Sequence, residues 1–438
     1  MKNANNNVNK LICGDNLEEL AKLPKESVDL IYIDPPFFTH KQYEVIWGDE
    51  AEIRSFEDRW AGGIEHYIDW IRPRVQAMYE VLKPTGSFYL HCDWHASAHL
   101  RLMLDEIFGK ENFRNEIIWC YKTREFSKRY WNRKHDTIHF FVKGNNYTFN
   151  WDVDGVIESY SPNTIAKYRY KDKKGYYRLC GRGITGSPIK SAKDVDPKWE
   201  KTHPELVVRN YLGKGYPPPD HWYIDIINQV AKERLGYPTQ KPLMLLEKII
   251  AASSNKGDII LDAFCGCGTA LIAAQKLGRH WIGIDISPTA IRVVEKERLS
   301  KELKLERDKD YIVAGMPTKA VDLKKLKPFE FQNWIINEMR ARHSRKKVGD
   351  MGLDGYVAQD LYHEEAGIQV KQSENVGRNV IDNFETALER AKYKKGYIIA
   401  FSFGKGAYEE VARLKNTGKL QIELVTVEDL LYKKKPLG

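Results

Sequence analysis

The sequence lacks several features that mark special classes of protein. No run of apolar residues approaches the roughly 18 that a membrane-spanning helix requires. Six cysteines in 438 residues are too few for a framework of disulfide bonds. The first ten residues, MKNANNNVNK, contain no apolar segment typical of a secretory signal. We therefore expect a cytoplasmic protein without a membrane segment, divided into several domains because a domain averages roughly 100–200 residues.

The charge is not of one sign, and its distribution says more than its total. Lys and Arg number 69 against 60 Asp and Glu, which gives a net charge of +9. Between residues 120 and 180, 13 basic residues face only 6 acidic ones and are interleaved with 14 aromatic residues. Such a stretch either contacts phosphates and bases of a nucleic acid or forms a solvated face over an aromatic core. Composition alone leaves both interpretations open.

Apolar runs alternate with helical patterns in two parts of the chain. The first part predicts strands over 10–13, 28–34 and 86–93, with helices over 63–82 and 95–108. From about residue 120 to 234 the alternation dissolves into chain rich in Pro, Gly, Tyr and Lys. It returns as a helix, a strand, a helix and a strand over 243–253, 258–264, 269–277 and 280–286. Strands that alternate with helices predict an α/β fold with a parallel sheet.

A glycine-rich turn follows the strand that ends near Asp262. The sequence LDAFCGCGTALIAAQKLG places Gly266 and Gly268 before a helix, and the next strand ends in Asp285. Small residues let the backbone approach a ligand, and an acidic residue at the next strand's end suits ribose hydroxyls. A dinucleotide fingerprint needs a third glycine where this chain has Leu271, so an adenosyl ligand without phosphates is favoured.

The segment VDLIYIDPPFF places Asp34, Pro35, Pro36 and Phe37 at the end of a buried strand. The two prolines stiffen the backbone and leave its carbonyl groups as acceptors. A carboxylate, rigid carbonyls and an aromatic face together suit a planar ring that carries an NH₂ group. On this segment alone, a purely structural turn is equally well supported.

Taken together, these motifs resemble the β-class DNA amino-methyltransferases, in which a D/S-P-P-Y/F/W motif precedes the glycine-rich one. Further matches are CGDN at 13–16, KPTGSFYLHCD at 83–93, YPTQKP at 237–242 and GIDIS at 283–287. The resemblance implies a Rossmann-like fold, S-adenosylmethionine as cofactor and double-stranded DNA as partner. It implies catalysis by Asp34, Pro35, Pro36 and Phe37. It implies cofactor contacts from Asp15, Thr239, Gln240, Lys241, Pro242, Asp262, Phe264, Cys265, Gly266, Gly268, Thr269 and Asp285.

The chemistry of the reaction follows from the acceptor group. The lone pair of an aromatic amine is delocalised, and hydrogen bonds to Asp34 and the Pro35 carbonyl would direct it toward the methyl donor. The base must leave the duplex, where Phe37 would stack on it. Aspartate rather than serine at position 34 favours adenine over cytosine in this family. The flanking Phe38 and His40 could line the pocket, whereas we interpret His91, His95 and His99 as surface residues.

The last 110 residues show a second pattern, in which G-L-D-G is followed by Q-V-K on a predicted strand over 366–372. This resembles the Mrr-type branch of the PD-(D/E)xK nucleases. The resemblance implies that Asp354 binds Mg²⁺ and that Gln369 and Lys371 complete the site, assisted by Glu338. The glutamine replaces the usual second carboxylate, so an active nuclease and a degenerate domain both stay open.

We therefore predict a site-specific DNA methyltransferase in a restriction-modification setting, with homodimerisation left open. The predicted segments are a catalytic half, a target recognition region, a cofactor-binding half, a linker and a small α/β endonuclease-like domain, over 1–119, 120–235, 236–315, 316–328 and 329–438. One alternative is a methyltransferase-fold DNA reader whose main activity is the C-terminal nuclease. Another is an enzyme that methylates amino groups of RNA or protein.

Overall fold

The computed structural model describes residues 9–38, 63–123, 126–189, 194–228, 231, 233–235, 240–326, 328–339, 341–343, 352–357 and 365–432. The strands are β1 (Asn9–Cys13), β2 (Val28–Ile33), β3 (Leu82–Cys92), β4 (Phe113–Cys120), β5 (His135–Val142), β6 (Tyr170–Asp172), β7 (Gly175–Gly181), β8 (Val207–Tyr211), β9 (His221–Tyr223), β10 (Ile259–Asp262), β11 (His280–Asp285), β12 (Tyr311–Ala314), β13 (Arg342–His343), β14 (Gly355–Val357), β15 (Ala366–Lys371), β16 (Lys395–Ala400) and β17 (Gln421–Thr426).

The helices complete the framework. They are α1 (Asn16–Leu20), α2 (Gly63–Val81), α3 (Ser97–Phe108), α4 (Pro162–Ile165), α5 (Trp199–Thr202), α6 (Leu243–Ser253), α7 (Thr269–Lys276), α8 (Pro288–Val293), which continues as a π-helix (Val294–Glu302), α9 (Ala320–Lys324), α10 (Pro328–Glu338), α11 (Arg378–Ala391), α12 (Lys405–Thr417) and α13 (Val427–Leu431). Within the described residues, none of these helices has the length and apolarity needed to cross a membrane.

The largest sheet has nine strands in the order β12-β1-β11-β10-β2-β3-β5-β4-β9. Its first six strands pair in parallel, and β3 then pairs with β5 in antiparallel fashion. The strands of two distant parts of the sequence thus interleave, because β10 and β11 insert between β1 and β2. The predicted α/β fold with a parallel sheet is confirmed.

Both faces of this sheet are covered. On β2, Leu30 and Tyr32 pack in a cluster with α6 and α7, whereas Ile31 and Ile33 pack with α2 and α3. This explains why the strand is apolar at nearly every position, as a strand buried on both faces must be. Each large apolar side chain buried this way contributes roughly 1.5–3 kcal/mol.

The range 120–235 contributes to two different sheets. β5 and β9 belong to the nine-stranded sheet, whereas β6, β7 and β8 form a separate antiparallel sheet with a small core of Tyr177, Leu179 and Val207. The regular alternation of strands with long helices does end near residue 120, but β5 is a strand that the sequence analysis did not predict. Its sequence, HDTIHFFV, lies within the basic and aromatic stretch, and it pairs with β4 as a hairpin with no helix between them.

The C-terminal residues form a third sheet in the order β13-β14-β15-β16-β17, in which the last three strands are parallel. The stretch predicted as a linker contains α9, and its Leu323 is fully buried in the same apolar cluster as Phe331. This unit contacts the larger one through an ion pair of 2.5 Å between Arg292 on α8 and Glu338 on α10. The Arg292 guanidinium also lies 5.5 Å from the ring centre of Trp334.

Candidate active site

The carboxyl ends of two neighbouring strands meet at one edge of the nine-stranded sheet. β2 and β10 pair in parallel with Leu30 opposite Ile260, so Asp34 and Asp262 come to the same edge from distant parts of the chain. Ligands of open α/β sheets bind at this edge. A pocket opens there, lined by Tyr32, Asp34, Lys241, Leu246, Asp262, Phe264, Cys265, Gly266, Cys267, Thr269 and Ala270.

The glycine-rich loop forms the floor of this pocket. Gly268 has φ +76°, and a Cβ there would lie 2.9 Å from a methyl carbon of Val294. Both the backbone conformation and the contact therefore require glycine. The neighbouring Cys265 and Cys267 are buried free thiols, and burial raises the pKa of each above its ordinary value. They remain protonated and line the loop, as predicted from the sequence.

Asp285 fixes the shape of this loop from the next strand. Its Oδ2 accepts a hydrogen bond of 2.8 Å from the backbone N–H of Gly266, and its Oδ1 accepts one of 2.9 Å from Ser287. The carboxyl group thus joins the glycine turn to the start of α8. Burial raises the pKa of Asp285 despite these two hydrogen bonds.

Acidic groups outnumber basic ones in the pocket. Asp262 is buried, and burial raises its pKa well above the usual range, with further increases from the charges of Asp34 and Asp285. The backbone N–H of Phe264 and the charge of Lys241 oppose these effects without cancelling them. Carboxyl groups held in this way favour a ligand that carries positive charge.

Asp34 lies where the catalytic corner was predicted. Its Oδ2 forms an ion pair with Lys241 Nζ, and both side chains are largely buried. Its Oδ1 is buried and accepts no hydrogen bond from the residues that the structure describes. The ring of Phe37 lies nearby, with Lys241 Nζ 5.3 Å from its centre. Asp34 therefore keeps one acceptor for a donor group that enters the pocket.

His91 is not a surface residue, and that prediction was wrong. Its side chain is fully buried on β3, with Nδ1 3.3 Å from Asp34 Oδ1 and 3.2 Å from the Tyr32 hydroxyl. Its Nε2 lies 3.2 Å from Oδ2 of Asp136 on β5. The sequence held a signal for this, since β3 is apolar on both faces and leaves no exposed face for its histidine.

The other two histidines differ from each other. His99 is exposed on α3, as predicted. His95 is half-buried, its Nδ1 lies 2.6 Å from Asp93 Oδ2, and its ring stacks on Trp94 with centres 3.7 Å apart. Neither contacts the pocket residues named above in the described part of the chain.

Asp136 was not predicted from the sequence at all. Burial would raise the pKa of its carboxyl, but the hydrogen bond and charge of His91, the charge of Lys241 and the Tyr121 hydroxyl together lower it. The Tyr121 hydroxyl donates a hydrogen bond of 3.0 Å to Asp136 Oδ1. Asp136 is thus an ionised carboxylate behind His91.

Asp15 lies at the carboxyl end of β1 and begins α1. Its Oδ1 accepts the N–H of Leu17, and its Oδ2 forms an ion pair of 2.8 Å with Arg74 on α2. The Arg74 guanidinium covers the ring of Trp70, which in turn lies 5.8 Å from the ring of Phe264. Trp70 and Arg74, both on α2, are therefore added to the residues that were predicted to contact the cofactor.

The residues of the YPTQKP motif at 237–242, which precedes α6, differ in whether they contact the pocket. Thr239 lies outside the described residues. Gln240 turns to its own loop, where it accepts from the N–H of Leu235 and donates to the Glu233 carbonyl. Pro242 immediately precedes α6. Of this group, Lys241 reaches the pocket.

The second predicted site lies on the C-terminal sheet. Asp354 precedes β14, and its Oδ2 accepts the N–H of Val370 at 2.6 Å while its Oδ1 accepts from Gln332 Nε2 at 3.1 Å. Gln369 is buried with Nε2 bonded to the Gly352 carbonyl, and its Oε1 has no partner among the described residues. Lys371 ends the same strand.

Glu338, which the sequence analysis added to this site, forms an ion pair with Arg292. Within the described residues, the cluster with metal-ligand spacing is a different one, formed by Asp382, Glu385 and Glu410. Arg413 and Arg378 already form ion pairs with Glu410. Arg413 also pairs with Glu385, so arginine side chains already occupy this cluster.

Comparison with known proteins decides the family. A DNA methylase family model matches residues 28–296, which is more than half of the chain, and a restriction endonuclease model of the Mrr type matches residues 323–432. The chain belongs to the DNA amino-methylase family. The methylase M.EcaI of Enterobacter cloacae is 30% identical over 319 residues, covering 66% of this chain and 69% of its own.

Two further proteins are similar to this methylase. DNA adenine methyltransferase YhdJ of Escherichia coli (strain K12) is 28% identical over 291 residues, covering 66% of this chain and 82% of its own. The solved structure of the cytosine-N4-specific PvuII DNA methyltransferase is 19% identical, with a TM-score of 0.41, covering 68% of this chain and 88% of that one. The resemblance drawn from the sequence motifs is confirmed.

S-adenosylmethionine is the methyl donor of this methylase. The donor carries a sulfonium and an ammonium group, so it has the positive charge that the pocket's carboxyl groups favour. The glycine-lined loop also lets its adenosyl part approach the backbone. The residues present therefore fit this cofactor, and the chain transfers methyl groups to amino groups of DNA bases.

Proposed function

We propose that this methylase acts on the N6 amino group of adenine in double-stranded DNA. The observation that carries the proposal is Asp34 with its one free buried acceptor, Oδ1, beside the ring of Phe37. The carboxylate and the Pro35 carbonyl would accept the two amino hydrogens while Phe37 stacks on the flipped base. YhdJ, which is 28% identical to this chain, is a DNA adenine methyltransferase, and this similarity supports the same choice.

The proposal assigns the cofactor to the glycine loop side of the pocket. Asp262, Phe264, Cys265, Gly266 and Thr269 would hold it against the end of β10. Gly268 would keep the loop in its left-handed turn, Asp285 would face the ribose, Asp15 the adenine and the Gln240–Pro242 segment the methionine part. When bound, the cofactor supplies the methyl group.

The DNA would lie over the 120–235 range, next to the corner. The hairpin loop 121–134 between β4 and β5 carries six basic residues and one acidic residue. In its described part, Phe126, Tyr130 and Trp131 are exposed, Trp131 by 96%. Arg133 covers the rings of Trp94 and Tyr130 at 3.8 and 4.9 Å. At the start of this loop, the Tyr121 hydroxyl donates a hydrogen bond to Asp136, which contacts His91. The loop therefore borders the site. A DNA substrate would also place the enzyme in the cytoplasm.

The deciding experiment is methyl transfer from labelled S-adenosylmethionine to unmethylated plasmid DNA, with Mg²⁺ withheld, followed by mass spectrometry of the nucleosides. We expect N6-methyladenine from the wild type and none from Asp34→Ala. Asp382→Ala removes an exposed carboxylate of the C-terminal unit and is the matched control. N4-methylcytosine would refute the adenine assignment, and label in RNA or protein but not in DNA would favour those substrates instead.

A second activity is favoured by the unpartnered carbonyl oxygen of Gln369 beside Asp354. A buried acceptor without a hydrogen bond is costly unless a ligand satisfies it, and Mg²⁺ prefers oxygen ligands. We infer a Mg²⁺-dependent nuclease in which Lys371 stabilises the cleaved phosphate. Cleavage of unmethylated plasmid with Mg²⁺ and its loss in Asp354→Ala would support this. Intact DNA with the wild type would instead indicate an accessory domain.

A further inference from the structure

Each methyl transfer to an amino group leaves one proton to be removed. The amino nitrogen forms a bond to the methyl carbon, the donor's carbon–sulfur bond breaks with its electron pair left on sulfur, and the nitrogen becomes cationic. It regains neutrality when one N–H bond breaks with the pair returning to nitrogen. The proton must then pass to a base within the closed site.

Asp34 has only one oxygen open for this proton. Its Oδ2 is paired with Lys241, whose positive charge opposes protonation there. Its Oδ1 is buried and lies 3.3 Å from His91 Nδ1. A proton taken up at Oδ1 is therefore in reach of the imidazole.

The position of the hydrogen on the His91 ring follows from its hydrogen-bond partners. Asp136 is ionised and can only accept, so Nε2 carries the hydrogen that bonds Asp136 Oδ2. Burial raises the pKa of Tyr32 well above its usual range, so its hydroxyl keeps its proton and can donate to Nδ1. In the neutral tautomer with this hydrogen on Nε2, the lone pair of Nδ1 is directed to the side where Tyr32 and Asp34 lie.

We propose that His91, backed by Asp136, is the base that receives the transferred proton from Asp34. Protonation at Nδ1 makes an imidazolium between two carboxylates, Asp34 on one side and Asp136 on the other. This proposal deepens the proposed function, because it rests on Asp34 as the group that contacts the amine. His91 and Asp136 act through Asp34 and are positioning and proton-accepting residues.

The surroundings of His91 contain no group that would take this role instead. The side chains that face it are Tyr32 and Asp34 on the β2 side, Asp136 on β5, and the rings of Phe37 and Trp119. Lys241 acts from the far side of Asp34. Within the described residues, the imidazole is thus the ring nitrogen base in contact with the catalytic carboxylate.

The test compares single-turnover methyl transfer at saturating DNA and cofactor over a range of pH. Asp136→Asn keeps the shape of the side chain but removes its charge, which disfavours the imidazolium. We expect a rate about 10–100-fold lower. The acid-side midpoint of the rate should also move to lower pH, because the imidazolium loses the stabilising charge of Asp136. The proposal also predicts that Asp136→Asn binds DNA and cofactor with dissociation constants within about twofold of the wild-type values.

A second pair of variants separates proton acceptance from shape. Asparagine at position 91 places an amide near the former Nδ1 and can still hydrogen-bond Asp34, but it cannot take a proton. We expect His91→Asn to lose activity as severely as His91→Ala, and exposed His99→Asn to remain at the wild-type rate. Restored activity in His91→Asn would overturn the proposal and assign a structural role.

The outcomes distinguish a failure of the proton relay from a failure of the proposed function. A uniform fall in rate with an unchanged midpoint in Asp136→Asn would overturn the proton relay while leaving methylation by Asp34 intact. Wild-type protein that transfers no methyl group to any amino group would overturn the relay together with the proposed function. Thermal unfolding of each variant checks that the fold is retained.

Discussion

Replacing Asp262 by Asn is expected to remove most of the pH dependence of S-adenosylmethionine binding. Burial raises the pKa of Asp262, so the free protein holds this proton to a higher pH than an ordinary aspartate would. A cationic ligand beside the carboxyl favours its ionised form and lowers the pKa. Binding therefore releases a proton, and the affinity falls as the pH is lowered through the raised pKa of the free protein.

The size of the effect follows from linkage. One proton released on binding changes the dissociation constant about tenfold for each pH unit below the raised pKa, or about 1.4 kcal/mol. Asp285 is also buried with a raised pKa and adds a smaller dependence of the same sign. Its hydrogen bonds to Gly266 and Ser287 already favour the ionised form.

Isothermal titration calorimetry of the full chain is the assay. Titrations at one pH in two buffers of different ionisation enthalpy give the number of protons released, and titrations from pH 5 to 8 give the slope. The wild type should release protons, and Asp262→Asn should release fewer and bind with a flatter pH profile. A wild-type affinity that rises as the pH falls would refute the reasoning, because the carboxyl would then bind the ligand in its protonated form.

Three further predictions concern other parts of the molecule. Gly268→Ala should lower stability by about 1–2 kcal/mol in thermal unfolding and weaken cofactor binding, because its left-handed backbone and the Val294 contact exclude a side chain. Trp131→Ala should weaken DNA binding about tenfold in a fluorescence anisotropy titration at fixed salt, whereas exposed Trp199→Ala should not. Arg292→Met should cost at most about 1 kcal/mol but separate the unfolding of the two units in calorimetry, and an unchanged single transition would contradict the contact's role.

The parts of the fold that follow local rules were predictable. The helix over 243–253 was expected with the bounds that the structure shows, and the strand over 28–34 differs by one residue from β2. Both have strong patterns, a buried helix and a strand apolar on both faces. β5 was not predicted, because it pairs with β4 across the loop 121–134. The basic and aromatic composition of that loop determined how the range 120–235 was interpreted.

The candidate site was predictable where its residues belong to short motifs. Asp34 and the glycine loop were found because each motif is contiguous in the sequence. The contacts among them were not, since Lys241 pairs with Asp34 from 207 residues away and Asp136 reaches His91 from 45. Such neighbours are set by the order of strands in the sheet, and a single sequence does not reveal that order.

The helix α8 has a different neighbour at each end. At its start, Ser287 caps the helix, and the Ser287 N–H donates a hydrogen bond to the Asp285 carboxylate. One turn later, Arg292 holds α10 of the C-terminal unit. The same helix therefore contacts the acidic residue that holds the glycine loop and, through Arg292, the endonuclease-like unit. In a chain that carries a methylase domain and an endonuclease-like domain, the six residues of α8 span the distance from one contact to the other.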